Sequence, residues 1–580
     1  MSHLCVRRQL TQKCSKGTKP DMNTFTYSLP QNIQTGATGE LKQWSDKEMI
    51  SRLWSKRASV WTDADEAKWL GWLDIVGEEL AGLDKYRDLA ADVENAGFTD
   101  LLLMGMGGSS LCPEVLAMTF GKNHFHILDS TVPAQVKAVE DKLDLEKTLF
   151  IVASKSGSTL EPNCFKQYFF DRLAAKVGRE NAGRQFIAIT DPGSKMEQVA
   201  RDDSFRHIFY GKPQIGGRFS ALSAFGMAAA AAMGIDVEQF LRHSAEMVDA
   251  CRERDAAKNP GAMLGAILGV CHRNGRDKLT IFASPEVHDL GAWMEQLVAE
   301  STGKNGVAII PVDREPAAAS YGSDRVFAFL SIAGDVRFDQ QTESLKAAGH
   351  PVICIKLDST DTLGQEFFRW EFATAVAGAV MEINPFNQPD VESAKIEARK
   401  ITDEYEKTGE LPSEKPFFEG DGIALFSGDA YAATLTASGE NTAAAILQTH
   451  LRQITENDYF GLLAYVEMNA ESEKLLQAIR ENVLTKHNVA TCLGFGPRFL
   501  HSTGQAYKGG ANNGVFLQIT SDDAVDIPVP EQTFTFGVVK AAQSRGDFQV
   551  LLDRGRRALR VHIGADVTTD LARLAEMITQ

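Results

Sequence analysis

Short apolar runs that alternate with amphipathic helical patterns constrain the fold of this chain more than any other feature. Between residues 100 and 211, helical segments such as 160–177 separate five such runs, DLLLMG, FHILDS, LFIVAS, QFIAIT and HIFYG. Strands joined by helices become parallel neighbours, and helices then cover both faces of the sheet. The pattern therefore predicts an α/β fold with a doubly wound parallel sheet.

The same alternation occurs twice more along the chain. A second set contains KLTIFASP, GVAIIPV, RVFAFLSI and PVICIKL, and a third contains GIALFSG, FGLLAYVEM, NVATCLGFG and GVFLQIT. Between them, residues 408–421 are rich in Pro, Gly and charge, which is typical of a linker. We expect a disordered leader over 1–45, a first α/β domain over 46–245, a second over 246–407 and a C-terminal α/β domain over 408–580. RVFAFL, CIKL and LGQEFFRWEFATA run in weak parallel with GVFLQIT, DIPV and FTFGVVKAAQSRG, so a partial duplication of the second domain is one open interpretation.

Composition excludes several classes of function. The 580 residues can form several cores, and 77 Asp and Glu against 60 Lys and Arg give a net charge of -17. That charge disfavours binding to nucleic acid or to an anionic membrane. The eight cysteines lack CxxC spacing, which favours free thiols in a reducing cytoplasm. We find neither an apolar run long enough to cross a bilayer nor an apolar secretory signal at the N-terminus.

The first chemical motif is MGMGGSS, residues 104–110, directly after the first apolar run. Glycines between a strand and a helix let backbone N–H groups approach an anion. A dinucleotide site needs GxGxxG, but Ser110 stands where the third glycine belongs, although Asp129 ends the next strand at a suitable distance. A phosphate or sugar site, a dinucleotide site and a simple tight turn all remain open from this motif alone.

The second motif is SKSGST, residues 154–159, which follows the strand LFIVA and opens another helix. Four hydroxyls, a glycine and a lysine in front of helical N–H groups predict a phosphate cradle. The alternative is ordinary helix capping, which needs only one hydroxyl. A Walker loop is excluded because GxxxxGK[ST] is absent.

Two charged residues stand out in further glycine-containing blocks. Arg218 lies in GGRFS, and Glu300 lies in ESTGKNG near the end of a helical pattern. A carboxylate at such a place can act as a general base, and a guanidinium above a sheet can stabilise negative charge. Taken singly, Arg218 is more ordinarily a member of a structural ion pair, and Glu300 is more ordinarily a glutamate that faces solvent.

Together, GMGGSS, SKSGST, GGRFS and ESTGKNG, in this order, resemble the phosphoglucose isomerase family, which is built on paired sugar-isomerase (SIS) domains. A fifth block, INPFNQPDVESAK at 383–395, is similar to that family's late lysine-bearing helix. The likeness covers roughly residues 45–580 and is closest to the isomerase half of bifunctional transaldolase and glucose-6-phosphate isomerase chains. A transaldolase barrel needs on the order of 200 residues, for which the leader has no room. The resemblance implies two flavodoxin-like SIS domains plus the third α/β region.

The resemblance also implies residue roles. Glu300 would move a proton between C2 and C1 through a cis-enediol(ate), Arg218 would stabilise the developing charge, and Lys395 would assist ring opening or contact hydroxyls. Neither a metal nor another cofactor is expected. The residues expected to bind the substrate are Gly108, Ser109, Ser154, Lys155, Ser156, Thr159, Gln296 and Gln388.

The chain departs from the family pattern in its histidine. Between Glu300 and Lys395 the only histidine is His350, in the turn AAGHPV, whereas SYGSDRVF occupies the expected place without an imidazole. GPRFLHSTGQAYKGG, at 496–510, looks like the family's histidine block. We therefore expect His501 to open the sugar ring, supplied by the third domain of the same chain or by a second subunit. The alternative is an ordinary histidine at a helix start.

The resemblance implies a cytoplasmic glucose-6-phosphate isomerase that interconverts glucose 6-phosphate and fructose 6-phosphate in glycolysis and gluconeogenesis. A non-catalytic SIS-domain regulator that binds sugar phosphates is an alternative, as is a dual phosphoglucose/phosphomannose isomerase. The expected partner is a small sugar phosphate. A homodimer and a functional pairing with a transaldolase are further expectations, and no nucleic acid or membrane partner is expected.

Overall fold

A computed structural model describes residues 22–437, 439 and 442–579, without the side chains of 390–392. The strands within these residues are β1 (Thr24–Ser28), β2 (Asp100–Gly105), β3 (Phe125–Leu128), β4 (Thr148–Ala153), β5 (Phe186–Thr190), β6 (His207–Tyr210), β7 (Lys278–Ala283), β8 (Ile310–Asp313), β9 (Arg325–Ile332), β10 (Val352–Leu357), β11 (Phe418–Gly420), β12 (Ile423–Phe426), β13 (Tyr459–Tyr465), β14 (Ala490–Phe495), β15 (Gly514–Ser521) and β16 (Arg557–Ile563).

The α-helices described over the same ranges are α1 (Gln31–Asp46), α2 (Met49–Trp54), α3 (Ile75–Ala81), α4 (Asp84–Ala96), α5 (Leu111–Thr119), α6 (Pro133–Glu140), α7 (Leu160–Val177), α8 (Arg179–Ala182), α9 (Lys195–Asp202), α10 (Ala224–Ala232), α11 (Val237–Ala250), α12 (Pro260–Arg273), α13 (Leu290–Thr302), α14 (Asp339–Ala347), α15 (Leu363–Val380), α16 (Pro389–Thr408), α17 (Asp429–Leu435), α18 (Ala443–Leu451), α19 (Ala470–His487), α20 (Gly504–Gly509), α21 (Phe536–Asp553) and α22 (Val567–Thr579).

The first sheet has the strand order β3-β2-β4-β5-β6, and all of its neighbouring strands are parallel. Every residue of β4 is buried, as expected for a central parallel strand with helices on both faces. Because β2 and β4 are neighbours in register, their carboxyl ends place the GGSS and SKSGST loops side by side. The predicted α/β fold class with parallel sheets is confirmed.

The second sheet has the order β1-β10-β9-β7-β8, in which β7 to β10 are parallel and β1 is antiparallel. Its outer strand comes from residues 24–28, and the helix α1 follows it. Residues 22–45 therefore differ from the expected disordered leader: β1 pairs with β10, and α1 buries Ile33 and Trp44. Residues 1–21 of that leader lie outside the described residues.

The third sheet has the order β11-β12-β16-β15-β13-β14. Strands β13 to β16 are parallel and β12 is antiparallel to β16. Without β11, this sheet has the same order as the second sheet. If the parallel strands of each sheet are numbered along the chain, an antiparallel outer strand is followed by the fourth, third, first and second parallel strands in both. The shared order supports the duplication hypothesis and pairs GVFLQIT with RVFAFL. Two other parts of the sequence parallel are wrong. DIPV was matched with the strand CIKL but lies in a loop. The helix α21 was matched with α15, but α21 precedes the fourth parallel strand of its sheet whereas α15 follows it.

We term the parts of the chain built around the first, second and third sheets the first, second and third units. One large apolar core joins the first and second units, and a separate core lies under the third sheet. The second and third sheets meet near their outer strands β8 and β14, where the buried Arg480 donates to the carbonyls of Asp313 (2.7 Å) and Thr491. At the same interface the buried Glu315 accepts from the backbone N–H of Thr491 at 2.7 Å. These buried polar contacts fix the third unit against the second, and with it the residues that the third unit brings to the site.

Candidate functional site

The GGSS turn after β2 lies against the GGRFS turn. Gly107 has φ of +55°, and its Cα hydrogen faces the side-chain amide of Gln296 and the carbonyl of His501. A Cβ on Gly108 would collide with the carbonyl of Gly217. Both glycines are therefore required, by backbone conformation at 107 and by close approach at 108. Ser109, in the same turn, is half-buried.

The SKSGST loop after β4 ends at the N-terminus of α7. Gly157 has φ of +66°, and the Ser156 and Ser158 hydroxyls lie 2.8 Å apart. The Thr159 side chain makes no capping hydrogen bond to the helix, which leaves the Leu160 N–H uncapped. The next two residues offer less, because the Glu161 N–H bonds its own carboxylate and Pro162 has no N–H. Hydroxyls in front of a helix N-terminus form a site suited to an anion.

Two predicted phosphate-binding side chains are placed differently from the rest of this loop. Lys155 directs its ammonium group to the Asp191 carboxylate and donates to the carbonyl of Lys212 at 3.2 Å. Ser154 is buried, and its Oγ has no hydrogen-bond partner in the described structure. Neither side chain lines the large cavity described below.

Glu300 lies near the end of α13 and is 5% exposed. Its Oε1 lies 3.3 Å from Arg218 Nη1, and its Oε2 accepts a hydrogen bond from Gln296 Nε2 at 3.1 Å. Gln296 is one helical turn earlier, so the two side chains share a helix face. The same Gln296 nitrogen donates to the His501 carbonyl at 2.8 Å, and Gln296 Oε1 has no partner.

Arg218 is held rigidly behind this carboxylate. Its Nε donates to Ser301 Oγ at 2.7 Å, its Nη1 to Gln388 Oε1 at 2.7 Å and its Nη2 to the Pro385 carbonyl at 2.7 Å. Burial lowers the pKa of Arg218, and the charge of Glu300 opposes that shift. The arrangement fixes a positive charge beside one carboxylate oxygen in an enclosed place, where electrostatic effects are strong.

His501 comes from the third unit and forms a pair with Glu161, in the first turn of α7. Their Nε2 and Oε1 atoms lie 2.8 Å apart, and Gln543 Nε2 donates to the same Oε1 at 2.7 Å. Thr131 donates to Gln543 Oε1 at 2.6 Å, which fixes the amide orientation. Burial would raise the pKa of Glu161, but the charge and hydrogen bond of His501, with the charge of Lys395, hold that pKa below its usual value.

These elements surround a cavity of about 860 Å³, which we term the cleft. Its lining joins the SKSGST loop, the Glu161–His501 pair and α16. The sequence-predicted residues that line it are Ser156, Thr159, Lys395 and His501. Glu300, Arg218 and Gln388 form a connected group that reaches the cleft through Gln296 and His501.

Sequence reasoning missed Glu161, which pairs with His501, and Gln543, which donates to Glu161. Glu161 stands two residues after Thr159, where an acidic residue is an ordinary first-turn residue of a helix. Gln543 carries no local signal, because its contacts with Thr131 and Glu161 join residues 412 and 382 positions apart. Lys304, in ESTGKNG, was also missed; it is buried and donates to Asn387 Oδ1 at 3.0 Å.

The position of His501 agrees with the shared strand order. It follows β14, the second parallel strand of the third sheet, just as SYGSDRVF follows β8, the second parallel strand of the second sheet. The third unit therefore provides an imidazole at the place that lacks one in the second unit. In this structure His501 contacts Glu161 of the same chain.

Two absences hold for the described part of the chain. Over 22–437, 439 and 442–579, no helix combines the length and apolarity that a membrane span needs. In the same residues, no group of three or more His, Cys, Asp and Glu side chains is arranged to hold a metal ion.

The parallel sheets, with glycine- and hydroxyl-rich loops at the carboxyl ends of β2 and β4, define an α/β protein with a ligand-binding edge of the doubly wound kind. A family model described as phosphoglucose isomerase matches residues 85–324. The glucose-6-phosphate isomerase of Parasynechococcus marenigrum is 30% identical over 380 residues, covering 57% of this chain and 68% of that protein. A probable glucose-6-phosphate isomerase of Methanococcus maripaludis is 27% identical over 394 residues, covering 60% and 87%.

A crystal structure of a glucose-6-phosphate isomerase from Chlamydia trachomatis shares the fold, with a TM-score of 0.54 and 19% identity over 67% of this chain and 89% of that one. This chain belongs to the phosphoglucose isomerase family. The family match contains the loop residues, Arg218, Gln296 and Glu300, whereas Gln388, Lys395 and His501 lie beyond its last residue.

Proposed function

We propose that this chain is a glucose-6-phosphate isomerase, which interconverts glucose 6-phosphate and fructose 6-phosphate through a cis-enediol intermediate. The observation that carries the proposal is the buried Glu300 carboxylate, held 3.3 Å from Arg218 and connected through Gln296 to the cleft below the phosphate loop. A proton transfer between adjacent carbons needs one carboxylate base and charge stabilisation nearby. Both are present together.

The phosphate of the substrate binds at the SKSGST loop. Ser156 and Thr159 present hydroxyls to the cleft, and Leu160 supplies the first N–H of α7 beside them. Lys155 contributes through its backbone N–H, because its ammonium is paired with Asp191. The Ser154 N–H donates to the Ile189 carbonyl at 3.0 Å, so Ser154 supports the loop from within the sheet. Gly108 and Ser109 approach the sugar hydroxyls from the neighbouring loop.

Glu300 takes the proton from C2 and returns it to C1. Arg218 stabilises the negative charge that develops on the oxygens of these two carbons. Its hydrogen bonds to Ser301 and Gln388 hold the guanidinium in place before the substrate arrives, so little reorganisation accompanies the reaction. The unpartnered Gln296 Oε1 is available to accept a hydroxyl of the sugar.

His501 opens the ring of the cyclic sugar, supported by the Glu161 carboxylate at 2.8 Å. An imidazole paired with a carboxylate can exchange protons with the ring oxygen near neutral pH. Lys395, on the same cleft, assists this step or contacts a sugar hydroxyl. The chain supplies His501 in cis.

The test is the substitution Glu300→Gln, which keeps the size of the side chain and removes the base. Conversion of fructose 6-phosphate is followed through a dehydrogenase that consumes glucose 6-phosphate, and deuterium uptake at C2 is measured in D₂O. We expect kcat/KM and the exchange to fall together by about 10²- to 10⁴-fold. Glu406→Gln, an exposed change of equal charge at the cleft, is the matched control.

If the parent chain binds the sugar phosphate without converting it, the proposal fails in favour of a sugar-phosphate-binding regulator. The same exchange assay with mannose 6-phosphate tests for a dual isomerase. The homodimer, the pairing with a transaldolase and the cytoplasmic location stay predictions from the family resemblance.

A further inference from the structure

A second cavity, of about 300 Å³, lies in the third unit at the carboxyl ends of β15 and β16. We term it the Arg560 pocket; helix α21 and the segment 411–414 complete its walls. None of its lining residues lines the cleft. The edge formed by the carboxyl ends of parallel strands is where open α/β sheets bind ligands.

The sheet face beneath this pocket is polar, which is unusual for a covered parallel sheet. Along β16, Leu559 and Val561 point into the apolar core of the third unit, whereas Arg560 and His562 alternate with them and line the pocket. Thr520 stands beside His562 on β15 and also lines it. Both faces of a parallel sheet are ordinarily apolar, so a polar face here requires a reason other than packing.

The pocket carries an excess of positive charge. Lys540, Arg545 and Arg560 line it, and Glu414 is the one carboxylate among the described lining residues. Lys540 also pairs with Asp523, outside the lining, at 2.6 Å. One Glu414 oxygen lies 2.7 Å from Arg545 Nε and the other 2.8 Å from Arg560 Nη2. An anion held between two guanidinium groups is the geometry that also suits phosphoryl oxygens.

Arg560 is poorly satisfied for so buried a side chain. Its side chain is 3% exposed, its guanidinium lies over Phe426 and Phe548 at 4.2 and 5.2 Å from the ring centroids, and its Nε has no hydrogen-bond partner. Burial lowers the pKa of Arg560; the Glu414 charge opposes that shift and the Arg545 charge adds to it. A buried donor without an acceptor is costly, so the pocket lacks an acceptor.

We propose that the Arg560 pocket binds a small phosphate dianion, as free phosphate or as a phosphate ester, and that Glu414 fills the ligand's place when the pocket is empty. Glu414 is suited to this exchange because it belongs to an irregular segment and its side chain is 31% exposed. Arg545 holds the same segment by donating to the Pro412 carbonyl at 2.7 Å. The volume of about 300 Å³ leaves room for an organic group on the phosphate.

The experiment is calorimetric titration of the full chain with inorganic phosphate and, separately, with glycerol 3-phosphate. Glu414→Gln removes the internal competitor, Arg545→Ala removes one cation, and a double variant combines them. Glu410→Gln, an exposed change in the same segment, is the matched control. Any phosphate that binds in the cleft is common to all variants, so only differences between them report on the pocket.

We expect Glu414→Gln to bind phosphate at least about tenfold more tightly at one site than the parent or Glu410→Gln, the factor of one charge-assisted hydrogen bond. Arg545→Ala, alone or in the double variant, should lose that site. If the ester binds Glu414→Gln more tightly than phosphate does, the ligand is a phosphorylated metabolite; the reverse identifies free phosphate. Equal affinities for both anions in Glu414→Gln and Glu410→Gln would overturn the proposal. Circular dichroism of each variant confirms that it is folded.

Discussion

Replacing His501 by alanine separates ring opening from proton transfer. We expect His501→Ala to lose activity on the cyclic hexose phosphate while keeping the exchange at C2 of a sugar that has no ring. The reason is spatial: the imidazole lies against Glu161 on the cleft, whereas the Glu300 carboxylate rests on Arg218 and Gln296. The proposal therefore assigns the two chemical steps to two groups of residues.

The size of the effect follows from the contacts. A general acid–base group contributes about 10²- to 10⁴-fold to a rate, so conversion of the cyclic sugar should fall within this range. The carboxylate of Glu161, 6% exposed, also loses its hydrogen-bond partner at 2.8 Å, which costs roughly 1.5–3 kcal/mol for a hydrogen bond to a charged group. Gln543 still donates to Glu161, which limits the loss.

The pH dependence of stability should change in a defined direction. In the parent, the lowered pKa of Glu161 stabilises the fold above the unfolded pKa of about 4.3, and this contribution is lost as the pH falls through the folded pKa. Without His501, the opposing effect of burial raises the pKa of Glu161. The parent should then exceed His501→Ala in unfolding temperature by more at pH 6 than at pH 3, because the difference due to Glu161 fades as the pH falls and the carboxyl becomes protonated.

The assay compares two sugars. The hexose phosphate is followed through the coupled dehydrogenase, and C2 deuteration is measured with a tetrose 4-phosphate, whose O4 carries the phosphate and cannot close a ring. His487→Ala, in the same third unit but away from the cleft, is the control. Parental turnover of the cyclic sugar by His501→Ala would refute the role of His501. Equal loss with both sugars would refute the separation of steps.

Three further predictions test the site and the core. Gly108→Ala should abolish folding or lower the unfolding temperature sharply, because its Cβ would overlap the Gly217 carbonyl, whereas Gly39→Ala in the open face of α1 should raise stability by roughly 1 kcal/mol in thermal unfolding. Arg218→Lys should lower kcat by about 10²- to 10³-fold in the coupled assay, since an ammonium cannot keep the fixed guanidinium contacts; an unchanged kcat would contradict the charge-stabilising role. Burial raises the pKa of Glu371 well above its usual value. The parent should therefore lose about 1.4 kcal/mol of stability per pH unit between about pH 4.3 and the folded pKa. Glu371→Gln should remove this dependence, which is measured as the difference in unfolding free energy between pH 5 and pH 8.

The sheets and the loops of the first unit could be predicted because their signals are local. A buried parallel strand is a continuous apolar run, and the loop that follows it lies at the ligand-binding edge of the sheet. The neighbouring positions of the GGSS and SKSGST loops required that β2 pair with β4 as well as with β3, which is the reversal of strand order that a doubly wound sheet contains. Glu300 and Arg218 were found through their blocks, not through their own contacts.

What the sequence could not provide are pairings between distant segments. The strand β1 is only five residues long and pairs with β10, more than three hundred residues later. A short polar segment of this kind has no periodicity that distinguishes it from a leader, and its strand state depends on the edge that it meets. The contact between Glu161 and His501, 340 residues apart, could not be predicted either, because nothing in the sequence around each residue indicates its partner.

On the proposed mechanism, the third unit supplies the histidine that the segment after β8 lacks. In both the second and the third sheet, the second parallel strand is an outer strand, β8 or β14, and the two units meet near these strands. If one unit arose by duplication, the two segments would begin as equivalents, and only the copy that reaches α7 would need an imidazole. His501 is that copy, since it reaches Glu161 in α7. The segment after β8 contributes Glu315, which instead binds Arg325 and Thr491 within the interface. On this proposal, one of the two equivalent loops contributes a residue to ring opening and the other stabilises the interface.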